Sequence, residues 1–478
     1  MHSTDNNNDS NKAVKSSITH WQMVAFSAPS IGLVFLVGPI NIVQGIYAKY
    51  FGVPLTTLAA ILLLCKLFDA FSDPLLGIIS DRYRVRTGTR KPFVLIGSLA
   101  LIVSSYFLFI PPDNVSTAYV TFWMLAFYAA STVKQLPTFA WASEMTMDPV
   151  ERTRLFSVLT FIGRIGGVLF YLVPFLPLFT TTAMTPEVLK VSVMVGAVLI
   201  LPGVYVALRY APNGPYLPQE KAVKKKSALV SFKEAVSVFK RNKPFQIFVG
   251  AYMCIGLGGG MYYGMFFIFV DSYLGQGEAY AKLTLVGIVG ALILMPLVYK
   301  VILRIGKKKT WILTSLATIS AILYTGQLRP EEDVFVSLVV LQIILLFSTV
   351  SLPIITMPLL SETIDYGLLS DKTERRGLYF SVYSLLLKFE AALGMALGLA
   401  IAGWLGFDAT ATTHDEASGF AIRMAMVWVP CVFTSMGFFF IWKIPLNERR
   451  AGIIARRLEG RALREAEQRD SLALSPAL

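Results

Sequence analysis

Three charged residues share the run Lys66-Leu67-Phe68-Asp69-Ala70-Phe71-Ser72-Asp73-Pro74, at i, i+3 and i+7. On a helix this spacing puts all three side chains on one face over about two turns. Two carboxylates one turn apart can coordinate a hard cation or share a proton. The lysine supplies an internal counter-charge. The surrounding stretch, 55–79, is apolar and long enough to cross a bilayer as a helix. Charges inside such a stretch are costly in lipid, so they belong on a bundle interior or a watery cavity. A buried ion-pair triad that only orients helices is the alternative. Pro74 removes one backbone donor just beyond the second aspartate, which favours a kink there.

Other polar residues fall in apolar runs. Lys134-Gln135-Leu136-Pro137 is followed by Phe139 and Trp141, a mixture of hydrogen-bonding and stacking groups that suits a sugar ring. Lys134 has two readings, an ion pair with Asp69 or Asp73, or direct contact with a solute. Arg164 lies within Gly163-Arg164-Ile165-Gly166-Gly167, where small residues let helices approach and a guanidinium can grip hydroxyls or a carboxylate. Asn41 and Gln44 share a helical face and can bind a polar solute or bridge helices. Lys388 and Glu390 point about 200° apart on a helix, which leaves Lys388 to reach the carboxylates of the second span. Lys66, Lys134, Arg164 and Lys388 oppose Asp69, Asp73 and Glu390, so a shared cavity would favour an anionic or hydroxyl-rich solute over a cationic one.

The elements that must hold these groups are membrane helices. The 478 residues are 55% hydrophobic and 15% charged, with a mean hydropathy of +0.61, whereas soluble domains carry about 25% charge. Apolar runs at 23–49, 55–80, 92–110, 117–146, 155–178 and 188–209 are followed, after a basic interruption, by 245–272, 279–303, 309–326, 333–360, 377–405 and 418–443. The sequence thus predicts an all-α membrane protein of twelve transmembrane helices in two six-helix halves. Its sections are an N-terminal tail (1–20), a first bundle (21–209), a basic linker (210–244), a second bundle (245–443) and a C-terminal tail (444–478). Basic loops after spans two, four, eight and ten, and the Lys-rich linker, alternate with loops poor in cations, which places both termini in the cytoplasm. The same placement assigns the net charge of +13 to topology rather than to nucleic acid.

Gly88-Thr89-Arg90-Lys91 after span two is echoed by Gly306-Lys307-Lys308-Lys309 after span eight, as two related halves with a midplane site would show. Near the end of span ten, Glu362 and Asp365, then Arg375 and Arg376, can form salt bridges with basic loops such as Arg90-Lys91, a gate that opens and closes, or a solvated surface cluster. Ser231–Phe239 can form an amphipathic helix at the membrane surface, and 447–469 a cytosolic one. Residues 1–18 are polar and carry no signal-peptide pattern. Cys65, Cys254 and Cys431 lie in apolar runs without metal-ligand spacing, and no catalytic motif is present; an intramembrane enzyme is not expected, nor a cofactor.

The segment Lys66 to Gly77, the basic loop ending Gly-Thr-Arg-Lys-Pro92 and Asp365-Tyr-Gly resemble the glycoside–pentoside–hexuronide:cation symporters, the melibiose-permease branch of the major facilitator superfamily. The resemblance covers nearly all twelve spans. It implies a functional monomer in the bacterial inner membrane that couples a solute to a monovalent cation, Na⁺ or H⁺. In that likeness Asp69 and Asp73 form the cation site, Lys66 and Lys388 lie beside it, and Arg164 contacts the sugar. The chain departs from the melibiose permease where Gln135 replaces a sugar-binding aspartate, Phe139 a stacking tryptophan and Leu33 a second aspartate. Fewer acids and retained cations point to an acidic, hexuronide-like saccharide. Vertebrate lysolipid transporters share the Asp-x-x-x-Asp and lysine pattern, so a lysolipid or another amphipathic solute is the alternative.

Overall fold

A computed structural model describes residues 18–146, 149–213, 239–240, 242–330, 333–371, 376–445 and 449–454, with isolated positions beyond. The amphipathic stretch expected at 231–239 lies almost wholly outside the described residues, as do residues 1–17 and most of the tail.

The described residues are overwhelmingly helical. In chain order the helices are α1 (His20–Ser27), α2 (Pro29–Val37), α3 (Val43–Phe51), α4 (Leu55–Thr87), α5 (Lys91–Phe109), α6 (Thr117–Met145), α7 (Pro149–Leu172) and α8 (Pro186–Tyr210). They continue as α9 (Lys243–Ile268), α10 (Gly277–Ile305), α11 (Lys307–Thr325), α12 (Phe335–Asp371), α13 (Arg376–Trp404), α14 (Glu416–Arg423) and α15 (Val429–Lys443). Helical segments stand at each of the twelve expected positions. Among the described residues, 10 are long and apolar enough to cross a membrane. The other two, α6 and α11, are less apolar because α6 carries Lys134, Gln135 and Glu144 and α11 opens on Lys307, Lys308 and Lys309.

The first expected span is not one helix. It is α1 and α2, a 3-10 turn at Gly38–Asn41 and then α3. Pro39, without an N–H, suits that tighter turn. The two echoed loops share a backbone device: Gly88 and Gly306 take φ of 76° and 90°. Side chains rarely adopt that region, and glycine there ends one helix and lets the next begin at once.

Contacts divide the chain into two units. The first holds Met1–Val43, Leu67–Phe179 and Thr185–Ala222; the second holds Gln44–Lys66, Thr180–Met184 and Val223–Leu478. In the first, α5 packs along α6, and α2 along α7 and α8. One core cluster there gathers Met23, Phe26, Trp141, Met145 and Leu155. In the second, α9 packs along α13 and α15, and a larger cluster includes Phe245, Phe248, Tyr252, Trp311 and Tyr383.

Candidate functional site

Lys66, Asp69 and Asp73 lie on α4 at the spacing the sequence predicts, each half-buried, and the helix runs on through Pro74. Asp69 and Asp73 belong to the first unit, with Lys66 just across the division in the chain.

The feature that organises the first unit is Lys134. Its side chain is 0% exposed. Gly97 lets the helices close at this residue: a Cβ there would stand 2.5 Å from the backbone nitrogen of Lys134, so α5 and α6 pass in backbone contact. Its Nζ has no hydrogen-bond partner among the described residues, so the pairing with Asp69 or Asp73 is not what the structure shows. Lys134 is among the residues lining a cavity of about 270 Å³. Lys134, Gln135, Thr138 and Phe139 of α6 line it, with Ser30 of α2 and Arg164 of α7 opposite in sequence.

Arg164 owes its place to the glycines around it. A Cβ on Gly166 would overlap the Ile31 carbonyl, and one on Gly163 would stand 3.1 Å from Val34. The close helix approach that these glycines permit is present, between α2 and α7, and the exposed Arg164 lines the cavity. Phe139 is 43% exposed and offers its ring. Thr138 spends its hydroxyl proton on the Lys134 carbonyl, at 2.7 Å, and keeps an acceptor. The set combines an amine, a guanidinium, an amide and an aromatic face. It can hold a ring that bears hydroxyls and one anionic substituent.

Several expected site residues fall elsewhere. Trp141 does not line the cavity: it is 1% exposed, packs edge-on to Phe26 and donates its Nε1 proton to the Pro212 carbonyl at 2.7 Å. Asn41 and Gln44 do not share a face, because the 3-10 turn breaks the helix between them; Asn41 is exposed and Gln44 buried. Lys388 is on α13, and its side chain lies outside the described residues, as do Arg375 and the side chain of Arg376.

The gate candidates form compact clusters. Arg90 reaches Glu144 at 2.7 Å and Asp81 at 2.8 Å and donates to the Ser80 hydroxyl. Burial works against the charge on Arg90, but the hydrogen bonds it donates to Glu144 and Asp81 outweigh it and hold the guanidinium above its ordinary value. Arg84 adds a second arginine to Glu144, at 3.1 Å. Sequence reasoning missed Ser80, Asp81, Arg84 and Glu144; their signal was the polar ends of spans two and four. Lys91 donates to the Leu208 carbonyl at 2.7 Å. Glu362 pairs with Lys307, and Asp365 is half-buried on α12.

Comparison with known proteins places this architecture. The family model described as MFS/sugar transport protein matches residues 25–448. The chain belongs to that family, and with it to the major facilitator superfamily. Over 413 residues it is 27% identical to the glucuronide carrier protein homolog of Escherichia coli (strain K12), covering 84% of this chain and 87% of that one. It is 26% identical over 404 residues to the inner membrane symporter YicJ of the same organism, covering 81% and 83%. Among solved structures, a bacterial homolog of the human lysosomal transporter Spinster, inward-facing and unoccupied, superposes with a TM-score of 0.62 at 16% identity. That match covers 89% of this chain and 97% of the other, and shows the shared fold. The protein is an integral membrane transporter.

Proposed function

We propose that the chain is a cation-coupled symporter of a sugar bearing a carboxylate, a hexuronide-like glycoside, working by alternating access. The observation that carries this reading is Lys134, whose wholly buried amine has no hydrogen-bond partner among the described residues and which lines a cavity together with Arg164. Charging a buried amine without a counter-ion is costly, and an arriving carboxylate would offset that cost. Arg164 contributes a planar fork for the carboxylate or adjacent hydroxyls, Gln135 an amide for hydroxyls, and Phe139 an apolar face for the ring. The likeness to a glucuronide carrier homolog and to a symporter supports the same reading.

Asp69 and Asp73 are proposed to take the coupling cation, with Lys66 and Lys388 as counter-charges. Gln135, in place of a third acid, leaves fewer negative ligands for Na⁺ and favours a proton. Both termini are proposed to lie in the cytoplasm, the protein to act as a monomer in the inner membrane, and the clusters at Arg90, Lys91, Glu362, Asp365, Arg375 and Arg376 to serve as the gate.

The test is thermal stabilisation of the purified protein by methyl β-D-glucuronide, by methyl β-D-glucoside, which lacks the carboxylate, and by a lysophospholipid. A ligand that binds the folded state raises its melting temperature by mass action. The glucuronide should stabilise clearly more than the glucoside. Equal shifts from both sugars, or a shift from the lysolipid alone, overturn the carboxylate reading.

A further inference from the structure

The second unit encloses a cavity of its own, about 280 Å³ in volume. Its polar lining includes Tyr262 and Tyr263 of α9, Thr318 of α11, Thr349 of α12, and Glu390 of α13. Three of these are already engaged: Tyr262 meets Thr325 at 3.1 Å, and Tyr263 meets Thr349 at 3.0 Å. Glu390 is only half satisfied. The side chain is 8% exposed, and its Oε1 accepts the Tyr252 hydroxyl at 3.0 Å. Its Oε2 has no hydrogen-bond partner among the described residues, and neither has the Thr318 hydroxyl.

The backbone makes room for that oxygen. A Cβ on Gly256 of α9 would overlap Oε2, so the absence of a side chain is what admits it. Among the described residues, the groups lining the cavity supply no counter-charge. From α9 the titratable groups are Tyr252, Tyr262 and Tyr263, with Cys254 off the lining. α11 and α12 present Thr318, Ser348 and Thr349, and α15 presents Thr434, with Cys431 off the lining. On α13 itself, Tyr379 and Tyr383 precede Glu390, and the side chain of Lys388 lies outside the described residues. Among the described residues no lysine or arginine lines this cavity. A metal cation needs several converging oxygens; a proton needs one.

We propose that Glu390 is a proton-binding site of the second unit, distinct in sequence from the aspartate pair of α4, and that its occupancy is coupled to transport. A hydronium ion from water gives its proton to Oε2, forming the carboxylic acid and leaving a water molecule. The reverse step returns the proton to water. Each cycle changes the charge of the cavity by one and turns Oε2 from an acceptor into a donor. The coupling half of the proposal rests on the symporter reading above; the proton site does not.

The experiment therefore has two arms. The first is infrared difference spectroscopy of the purified protein in lipid, acid against alkaline, with no sugar and no Na⁺. The wild-type protein should show the carbonyl stretch of a buried protonated carboxyl, and Glu390→Gln should lack it. Gly256→Ala keeps the carboxyl but crowds Oε2, and should move that band. A band unchanged in Glu390→Gln overturns the site. If that variant fails to fold, a band unchanged in Gly256→Ala does so. The second arm measures protons entering proteoliposomes with methyl β-D-glucuronide. The proton-to-sugar ratio should fall measurably in Glu390→Gln, because one protonatable site is lost while the aspartate pair of α4 remains. An unchanged ratio overturns the coupling. If the wild-type protein carries no glucuronide, the substrate reading fails and the infrared arm alone judges the proton site.

Discussion

Lys49 and Asp271 form an ion pair within the second unit, Nζ to Oδ2 at 2.7 Å, with the aspartate side chain 2% exposed and the lysine 29%. Asp271 lies in a π-helical turn, Phe269–Tyr273, that closes α9. A Cβ on Gly277 would overlap its other oxygen, so the start of α10 is shaped around this carboxylate. Removing the lysine strands a buried charge, which costs more than removing the pair. Because Lys49 is partly exposed, Lys49→Ala should lose about 1–3 kcal/mol rather than the full cost for a buried pair. Lys49→Ala with Asp271→Asn should recover part of that loss. Denaturation in detergent compares the single and double variants, and a double variant less stable than Lys49→Ala would refute the pairing as the cause.

Gly97 and Lys134 meet backbone to backbone, which fixes the depth of the lysine in the first unit. Gly97→Ala must push α5 from α6, an overpacking penalty of about 1–3 kcal/mol. It should also weaken glucuronide binding, although Gly97 does not itself line the cavity. Melting temperature and sugar affinity are expected to fall together. A variant that loses stability but binds normally would separate the packing of Lys134 from its function.

The twelve helical positions were legible because apolar runs of spanning length have one stable solution in lipid, and the basic loops punctuate them. The site was legible in part. Lys134, Gln135, Phe139 and Arg164 were found from polarity inside apolar runs, and the structure brings them to one cavity. Trp141 was misassigned because residues two apart on a helix point to nearly opposite sides, and the sequence does not say which side faces the cavity. Asn41 and Gln44 were misread because a 3-10 turn breaks the helical register between them. The partners of Glu144 and Glu390 were out of reach: Arg90 lies 54 residues from the one, and Tyr252 lies 138 from the other. Local periodicity carries no information about such pairings.

Outside the spans, the loop before α14 should give an acid-sensitive contribution to stability. Asp408 accepts both the hydroxyl and the N–H of Thr410, at 2.7 and 2.9 Å. Those bonds hold its carboxyl below the usual range. Asp415 caps α14 by accepting the Ser418 N–H at 2.8 Å and is shifted the same way, by that bond. A carboxyl lowered in the folded state stabilises above its unfolded pKa of about 3.9, and the contribution is lost as pH falls through the lower folded value. Asp408→Ala should therefore melt below the wild-type protein at neutral pH, with the gap closing below about pH 4. A gap that persists in acid would assign the effect to something other than the carboxylate.

Lys134 and Arg164 are proposed to hold one carboxylate, and that makes their removal non-additive. A charge-assisted hydrogen bond is worth about 1.5–3 kcal/mol, so Lys134→Met should weaken glucuronide binding roughly tenfold to a hundredfold. Arg164→Gln retains some hydrogen bonding to hydroxyls and should lose about tenfold. If both groups grip the same anion, the double variant should lose less than the sum of the two single losses. Glucoside affinity should change little in any of them, because the discriminating contact is to the charge. Calorimetric titration of the four proteins with both sugars decides the matter: losses that add, or that fall equally on glucoside and glucuronide, would place the carboxylate elsewhere.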